Sequence, residues 1–292
     1  MVSVIAVFGP TASGKTAVAE AIADRLGTGV VSCDALQVYR GLPILTNQPS
    51  RATALVGIRS VTEDMSVGAY AALAHHAIDD LIARTGSAVV SGGTGLYLRA
   101  ALADLAVPPP PAAGVRERIG AEVAADAPAA HRRLGELDAR AAEVVHPNDH
   151  RRLVRALELA EGGGSLIPAN DLLWASATRH PTLIAGLDVP TDELERRIVA
   201  RTAAMFDHGV VAEVRAVLAS GASQTAAQAL GLDEIATMAE SDAHDRIVIR
   251  TRRYAAYQRK WMRRIPDLVS VDGTLRPEEV ADAILEVARS RQ

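Results

Sequence analysis

Apolar and polar positions follow two different periods along this chain of 292 residues. Four short stretches, residues 2–8, 29–33, 87–91 and 182–187, are almost continuously apolar and rich in Val, Ile and Leu. Runs of that length, bounded by Gly, Pro or polar residues, predict strands covered on both faces, as in a parallel sheet. Residues 16–26 are Ala-rich and stop at Gly27, which predicts a helix with a glycine end. Residues 67–84 place Tyr70, Leu73, Ala74, Ala77, Ile78 and Leu81 on one side and His75, His76, Asp79 and Asp80 largely on the other, the period of an amphipathic helix. Strands alternating with helices predict an α/β fold with a parallel sheet.

The pattern changes after the proline run at 107–111, where consecutive prolines forbid a helix. Residues 115–161 have helical periodicity and no strand-like run, and they end at Gly162-Gly163-Gly164-Ser165. Residues 108–180 therefore read as an all-helical insertion in a core made of residues 1–107 and 181–292. Beyond the fourth strand, residues 188–218 read as a long helical stretch and helices fill 225 to the end, broken near Pro266 and Gly273.

Candidate chemistry begins ten residues into the chain. Gly9-Pro10-Thr11-Ala12-Ser13-Gly14-Lys15-Thr16 matches G-x-x-x-x-G-K-[ST] in full, with the required strand before it and helix after it. Backbone N–H groups curl around an anion at the positive end of a helix, Lys15 adds a point charge and Thr16 offers a hydroxyl to Mg²⁺. The chain has two lysines against 29 arginines, so a chance lysine at this position is a weak explanation. A ligand with two or more phosphates is expected. Asp34 follows the second strand, at the carboxyl edge where open parallel sheets bind ligands; it reads either as a site carboxylate or as a turn or N-cap residue. Residues 35–41 are too polar for a core strand and read as substrate-facing. Gly92-Gly93-Thr94-Gly95 closes the third strand at the same edge without the acidic Mg²⁺ ligand of many phosphate-loop ATPases, which counts against ATP hydrolysis.

Composition changes this picture in two places. The single cysteine, Cys33, excludes an internal disulfide and suits a reducing compartment. With no basic-then-apolar opening and no run of 18 apolar residues, neither a signal peptide nor a membrane span is expected, and the location expected is cytoplasmic. The net charge of −4 argues against wholesale nucleic-acid binding, yet residues 246–264 hold eight basic residues and no acidic one, interleaved with Tyr254, Tyr257 and Trp261. Those aromatics recur at helical spacing, so stacking on bases and packing in a core are both open. His75 and His76 are adjacent, point apart and make a poor metal site.

Taken in order, several stretches resemble the bacterial tRNA dimethylallyltransferases (tRNA isopentenyltransferases). These are Gly9 to Thr16, 32–41 (SCDALQVYRG), 92–97 (GGTGLY), His146-Pro147-Asn148-Asp149 with Arg152 and Arg155, and Arg201 to Met205 with Gly209 and Glu213. Gln228-Ala229-Leu230-Gly231 and Thr251-Arg252 through Trp261 complete the series. The resemblance implies a phosphate-loop NTPase-like core that transfers a dimethylallyl group from its diphosphate to N6 of adenosine 37 in tRNA. It implies Mg²⁺, a diphosphate held by residues 9–16, and Asp34, Thr94, Arg201 and Lys15 as catalytic residues, with Asp34 as general base. By the same resemblance Asp34, Ala35, Leu36, Gln37, Thr94, Arg116, Arg151, Arg152, Arg155, Gln228, Gly231, Gln258, Trp261 and Arg263 contact the tRNA anticodon stem-loop, and the protein is expected to act as a monomer. The chain departs from the pattern at Ala35, where a serine is usual, at Leu45-Thr46-Asn47-Gln48-Pro49, which lacks a substrate-side lysine, and at Ala256-Tyr257-Gln258 for Lys-Arg-Gln. Prenyl transfer to a free nucleotide is the alternative, and a small-molecule kinase a more distant one.

Overall fold

The computed structural model describes residues 2–105, 107–108, 111–167 and 172–291. Its sheet has five strands, β1 (Val4–Phe8), β2 (Val30–Ser32), β3 (Ala88–Gly92), β4 (Thr182–Asp188) and β5 (Val269–Asp272), in the order β2-β3-β1-β4-β5 with every neighbouring pair parallel. The central strand explains its own sequence. Val4, Ala6 and Phe8 pack on one side among Val90, Tyr70 and Leu98, whereas Ile5 and Val7 pack on the other among Val18, Ile22 and Ile284. A strand covered on both faces has no solvent side to mark with polar residues. Register then sets up the site: Phe8 pairs with Gly92 and Gly186, and Ser32 with Ser91. The segments starting at Gly9, Cys33 and Gly93 thus leave neighbouring strands at one edge.

Helices α1 (Lys15–Leu26), α2 (Val67–Thr85) and α3 (Gly95–Leu102) follow the first three strands. The end of α1 is Gly27, at φ 61 in the left-handed region that glycine adopts without a steric cost. A second compact unit, residues 106–172, carries α4 (Val115–Ala125), α5 (Ala127–Leu137), α6 (Ala139–Val144) and α7 (His150–Glu161). Asp126, Asp138 and Asp149 cap its last three helices, each accepting from a backbone N–H three residues on. Its core is Ile119, Val123, Leu134, Val145, Leu153 and Leu157. Within it Glu158, its side chain fully buried, binds Arg116 at 2.6 Å and Arg155 at 2.9 Å. Burial pushes the Glu158 carboxyl up, but hydrogen bonds from the two guanidinium groups outweigh it and hold the carboxyl below its ordinary range.

The first unit resumes with α8 (Thr191–Asp207), α9 (Val210–Ser220), α10 (Leu232–Thr237), α11 (Glu240–Met262) and α12 (Pro277–Ser290). Three expectations are corrected. Residues 173–180, assigned by sequence to the insertion, belong to the sheet unit. The buried Arg99 of α3 anchors them by donating to the carbonyls of Leu173 at 2.9 Å and Ala175 at 2.7 Å, while Arg179 pairs with Asp79 of α2 at 3.0 Å. The long stretch 188–218 is two helices, because Pro190 delays the start and Gly209 takes φ 87 between them. Finally, residues 269–272 form an edge strand within what read as helix; only alternate side chains are half-buried, too few to stand out as an apolar run. Of the proline boundary, Pro109 and Pro110 lie outside the described residues.

Candidate active site

The phosphate loop joins β1 to α1 with Ala12 at φ 64 and Gly14 at φ 89. A left-handed alanine costs about 1–2 kcal/mol, and alternation of this kind turns successive N–H groups toward one concave side. The first-turn amides of α1 have no intrahelical acceptor and add to it. Ser13 is buried, and its Oγ lacks a hydrogen-bond partner among the described residues. It lies so close to Gly9 that a Cβ there would sit 2.9 Å away. Two cations close the loop. Lys15 Nζ donates to Pro10 O at 2.7 Å, and Arg201 of α8 donates from Nη1 to Thr11 Oγ1 at 2.7 Å. Burial lowers the Lys15 pKa to about 8, the Asp34 charge opposing and Arg201 adding to the shift. Burial also lowers the Arg201 pKa, again against Asp34.

Asp34 makes a turn and also lines a cleft. Its Oδ1 accepts from Leu36 N at 2.9 Å and Gln37 N at 3.4 Å, an Asx-type turn, while Oδ2 carries no hydrogen bond among the described residues. Next to it, Ala35 N donates to Thr94 Oγ1 at 3.3 Å, so the segments after β2 and β3 are joined beside the carboxylate. Gln37 lines the cleft, but its amide is used internally: it accepts from Ser32 Oγ at 2.9 Å and donates to Asn47 O at 2.9 Å. Gln48, in the segment where the lysine is missing, donates to Tyr39 O at 2.7 Å. Glu213 of α9 holds the same loop by accepting from Ile44 N at 2.9 Å and Leu45 N at 2.8 Å, and burial raises its pKa against those two bonds.

Of these groups Thr11, Lys15, Asp34, Gln37 and Arg201 line one cleft of about 480 Å³, whereas Thr94, Gln48 and Glu213 are not part of its lining. Helices α8 and α11 run antiparallel along it, Arg259 meeting Thr191 and Phe206 meeting His244. Polarity falls in the same direction on both: Arg197, Arg201 and Met205 face the cleft from α8, and Gln258, Tyr254, Thr251 and Ile247 from α11. One end is cationic, with Lys15, Arg197 and Arg201; Leu36, Leu45, Met205, Leu230 and Ile247 supply the apolar lining, and Asp34 shares the space. Tyr254 has its hydroxyl pushed up to about 12 by burial and by Asp34, with hydrogen bonding to Thr94 and Gln258 acting the other way. Such a cleft takes an anionic head and an apolar tail, with a carboxylate near enough to receive a proton.

The remaining sequence-named residues separate into three groups. Arg151, Arg152, Gln228 and Arg263 are exposed. Arg116 and Arg155 are held by Glu158. Gln258 and Gly231 are buried, contrary to their expected place on a polymer-facing surface. Gln258 bridges two loops through both ends of its amide, and Gly231, at φ 102, starts α10 where a Cβ would meet Leu45 at 2.9 Å. Trp261 is half-buried, stacked on Trp174 with centroids 4.8 Å apart, and Tyr257 is 53% exposed. Trp261 is thus packed against the protein, whereas Tyr257 is left in water. Along its exposed face, Arg246, Arg253 and Lys260 form no ion pair among the described residues, and they recur every seven residues. Sequence reasoning gave no site role to Arg197, Met205 or Glu213, and it left Tyr254 open between stacking on bases and packing in a core. The first two were accessible as positions i and i+8 around Arg201; Glu213 was not, because its partners are 168 and 169 residues away.

Comparison with known proteins agrees with the geometry. A family model described as IPP transferase matches residues 37–265. The tRNA dimethylallyltransferase of Anaeromyxobacter dehalogenans is 40% identical, with 95% of this chain and 97% of that protein covered. That of Acidothermus cellulolyticus is 38% identical, over 99% of this chain and 92% of the other. Among solved structures, the full-length tRNA isopentenylpyrophosphate transferase of Bacillus halodurans superposes with a TM-score of 0.70 at 27% identity, covering 99% of this chain and 96% of that one. The sheet edge, phosphate loop and Asp34 turn described above are therefore those of a chain that belongs to the IPP transferase family.

Proposed function

We propose that this protein transfers a dimethylallyl group from dimethylallyl diphosphate to N6 of adenosine 37 in tRNA and releases diphosphate. The observation that carries the reading is one cleft with Lys15, Arg201 and Arg197 at one end, apolar side chains on its walls, and in the same lining Asp34, whose Oδ2 makes no hydrogen bond among the described residues. The names of the relatives support it. The phosphate loop binds the diphosphate, and Lys15 and Arg201 stabilise the charge that grows on it as the C–O bond breaks. Asp34 takes the proton that the N6 amine loses as the C–N bond forms, and Thr94 positions the acceptor beside it. Thr16, which lines the cleft and whose hydroxyl makes no hydrogen bond among the described residues, suits a hard divalent cation with oxygen ligands. Bound there, Mg²⁺ would neutralise charge on the leaving diphosphate.

A polymer acceptor accounts for the outer face of α11. Arg246, Arg253 and Lys260 lie about 10 Å apart by helical rise, exposed and without carboxylate partners among the described residues, as cations that follow a phosphate chain do. Arg151 and Arg152, on the helical unit, are also exposed, as residues that contact the anticodon stem-loop are. Incubation with Mg²⁺ and either tRNA or AMP, supplied in parallel with labelled dimethylallyl diphosphate or labelled ATP, tests the proposal. Label in tRNA at position 37 supports it, label in AMP alone favours the free-nucleotide reaction, and phosphate transfer from ATP without prenylation overturns both.

A further inference from the structure

Two glycines just after β3, Gly93 and Gly95 on either side of Thr94, are each met by a different side chain of α11. A Cβ on Gly93 would lie 2.2 Å from Gln258 Nε2, and one on Gly95 would lie 2.2 Å from the Trp261 ring. Both glycines are needed because α11 fills that space. Gln258 also reaches the phosphate loop. It is 2% exposed, its Oε1 accepts from Thr11 N at 2.7 Å, and its Nε2 donates to Gly93 O at 2.9 Å. Thr11 in turn accepts from Arg201, and Thr94 accepts from Ala35 beside Asp34. One amide therefore stands between the loop that suits a diphosphate and the loop that adjoins the carboxylate.

We propose that Gln258 is a positioning residue that locks the phosphate loop to the Thr94 loop and so fixes the separation between the donor carbon and the acceptor amine. Its kinetic consequence rests on the transferase reading; its structural consequence does not. A buried amide engaged at both ends is costly to displace, because each loop would be left with an unpaired backbone group. Misplacing reacting groups by about 1 Å lowers a rate by roughly 10²-fold. Binding of either substrate alone needs only one of the two loops.

Three variants separate this role from RNA contact. Gln258→Met keeps the volume and removes both bonds, Gln258→Glu keeps the acceptor for Thr11 N–H and removes the donor to Gly93 O, and Gly93→Ala displaces the amide from the opposite side. For Gln258→Met and Gly93→Ala, kcat for prenyl transfer falls roughly 10²-fold while KM for tRNA and for dimethylallyl diphosphate stays within about threefold. Gln258→Glu falls between these and the parent protein. The double variant Gly93→Ala/Gln258→Met is no slower than either single one, since both break the same link. Amide hydrogen exchange accelerates together in residues 9–16 and 92–98 and is unchanged in α12. A raised KM for tRNA with kcat intact, multiplicative rate losses in the double variant, or faster exchange in one loop alone would each overturn the proposal. Should the parent protein transfer no prenyl group, the transferase reading fails by itself, and the exchange comparison still decides the link.

Discussion

Arg201 donates from Nη1 to the hydroxyl of Thr11 at 2.7 Å, which docks a guanidinium from α8 onto a loop 190 residues earlier in the chain. A planar, permanently charged donor at this place serves a diphosphate in a way a flexible ammonium does not. Arg201→Ala is expected to lower kcat/KM for prenyl transfer by roughly 10²- to 10³-fold, about 3–4 kcal/mol of transition-state stabilisation. Arg201→Lys should recover little of it. Steady-state kinetics with dimethylallyl diphosphate as the varied substrate checks both.

Lys15 makes diphosphate binding depend on pH in a definite direction. Its pKa, lowered to about 8, leaves the side chain charged below that pH and neutral above it. Affinity for inorganic diphosphate should therefore fall as pH rises from 7 to 9, with proton uptake on binding near pH 8 seen by calorimetry in buffers of different ionisation enthalpy. The same shift affects stability: the unfolded chain binds this proton more tightly, so the contribution of Lys15 to stability rises between about pH 8 and its ordinary value of 10.5. Lys15→Met should remove both dependences.

Asp34→Asn can keep the acceptor that holds Leu36 N and Gln37 N and loses only the basic oxygen. The turn should survive and the chemistry should not. A fall in kcat of about 10²- to 10⁴-fold with tRNA affinity unchanged is expected, measured by single-turnover prenylation beside filter binding. An unchanged rate would remove Asp34 from the mechanism.

The helical unit should lose stability in acid through Glu158. Its carboxyl is held below the ordinary 4.5 by Arg116 and Arg155, so the stabilisation is present above that value and is lost as pH falls through the lower folded pKa. Glu158→Gln is expected to cost roughly 2–3 kcal/mol at pH 7, less than a fully buried pair because Arg116 is half exposed. Urea unfolding at pH 7 and pH 4 should show the two proteins converging in acid.

Along α11, Arg253→Ala/Lys260→Ala should weaken tRNA binding and make the slope of log affinity against log salt less steep by about one to two, leaving diphosphate binding unchanged. Titrations from low to high salt measure it. An unaltered slope would mean that phosphates do not lie on this face.

The sequence by itself determined the sheet and its ligand edge. Buried parallel strands have apolar side chains on both faces, so 2–8, 29–33, 87–91 and 182–187 could be read directly, and the glycine and lysine spacing of the phosphate loop is a local backbone requirement. The edge strand β5 was illegible because only Val269 and Val271 are even half-buried. The limit at residue 172 was also hidden, since Arg99 defines it by gripping carbonyls 74 and 76 residues away. The tertiary structure alone decided which α11 residues face solvent and which face the reaction cleft. Helical spacing gives the faces of a helix but not their neighbours; it was Gly93 and Gly95, leaving room for Gln258 and Trp261, that turned those side chains inward and left Arg253 and Lys260 in water.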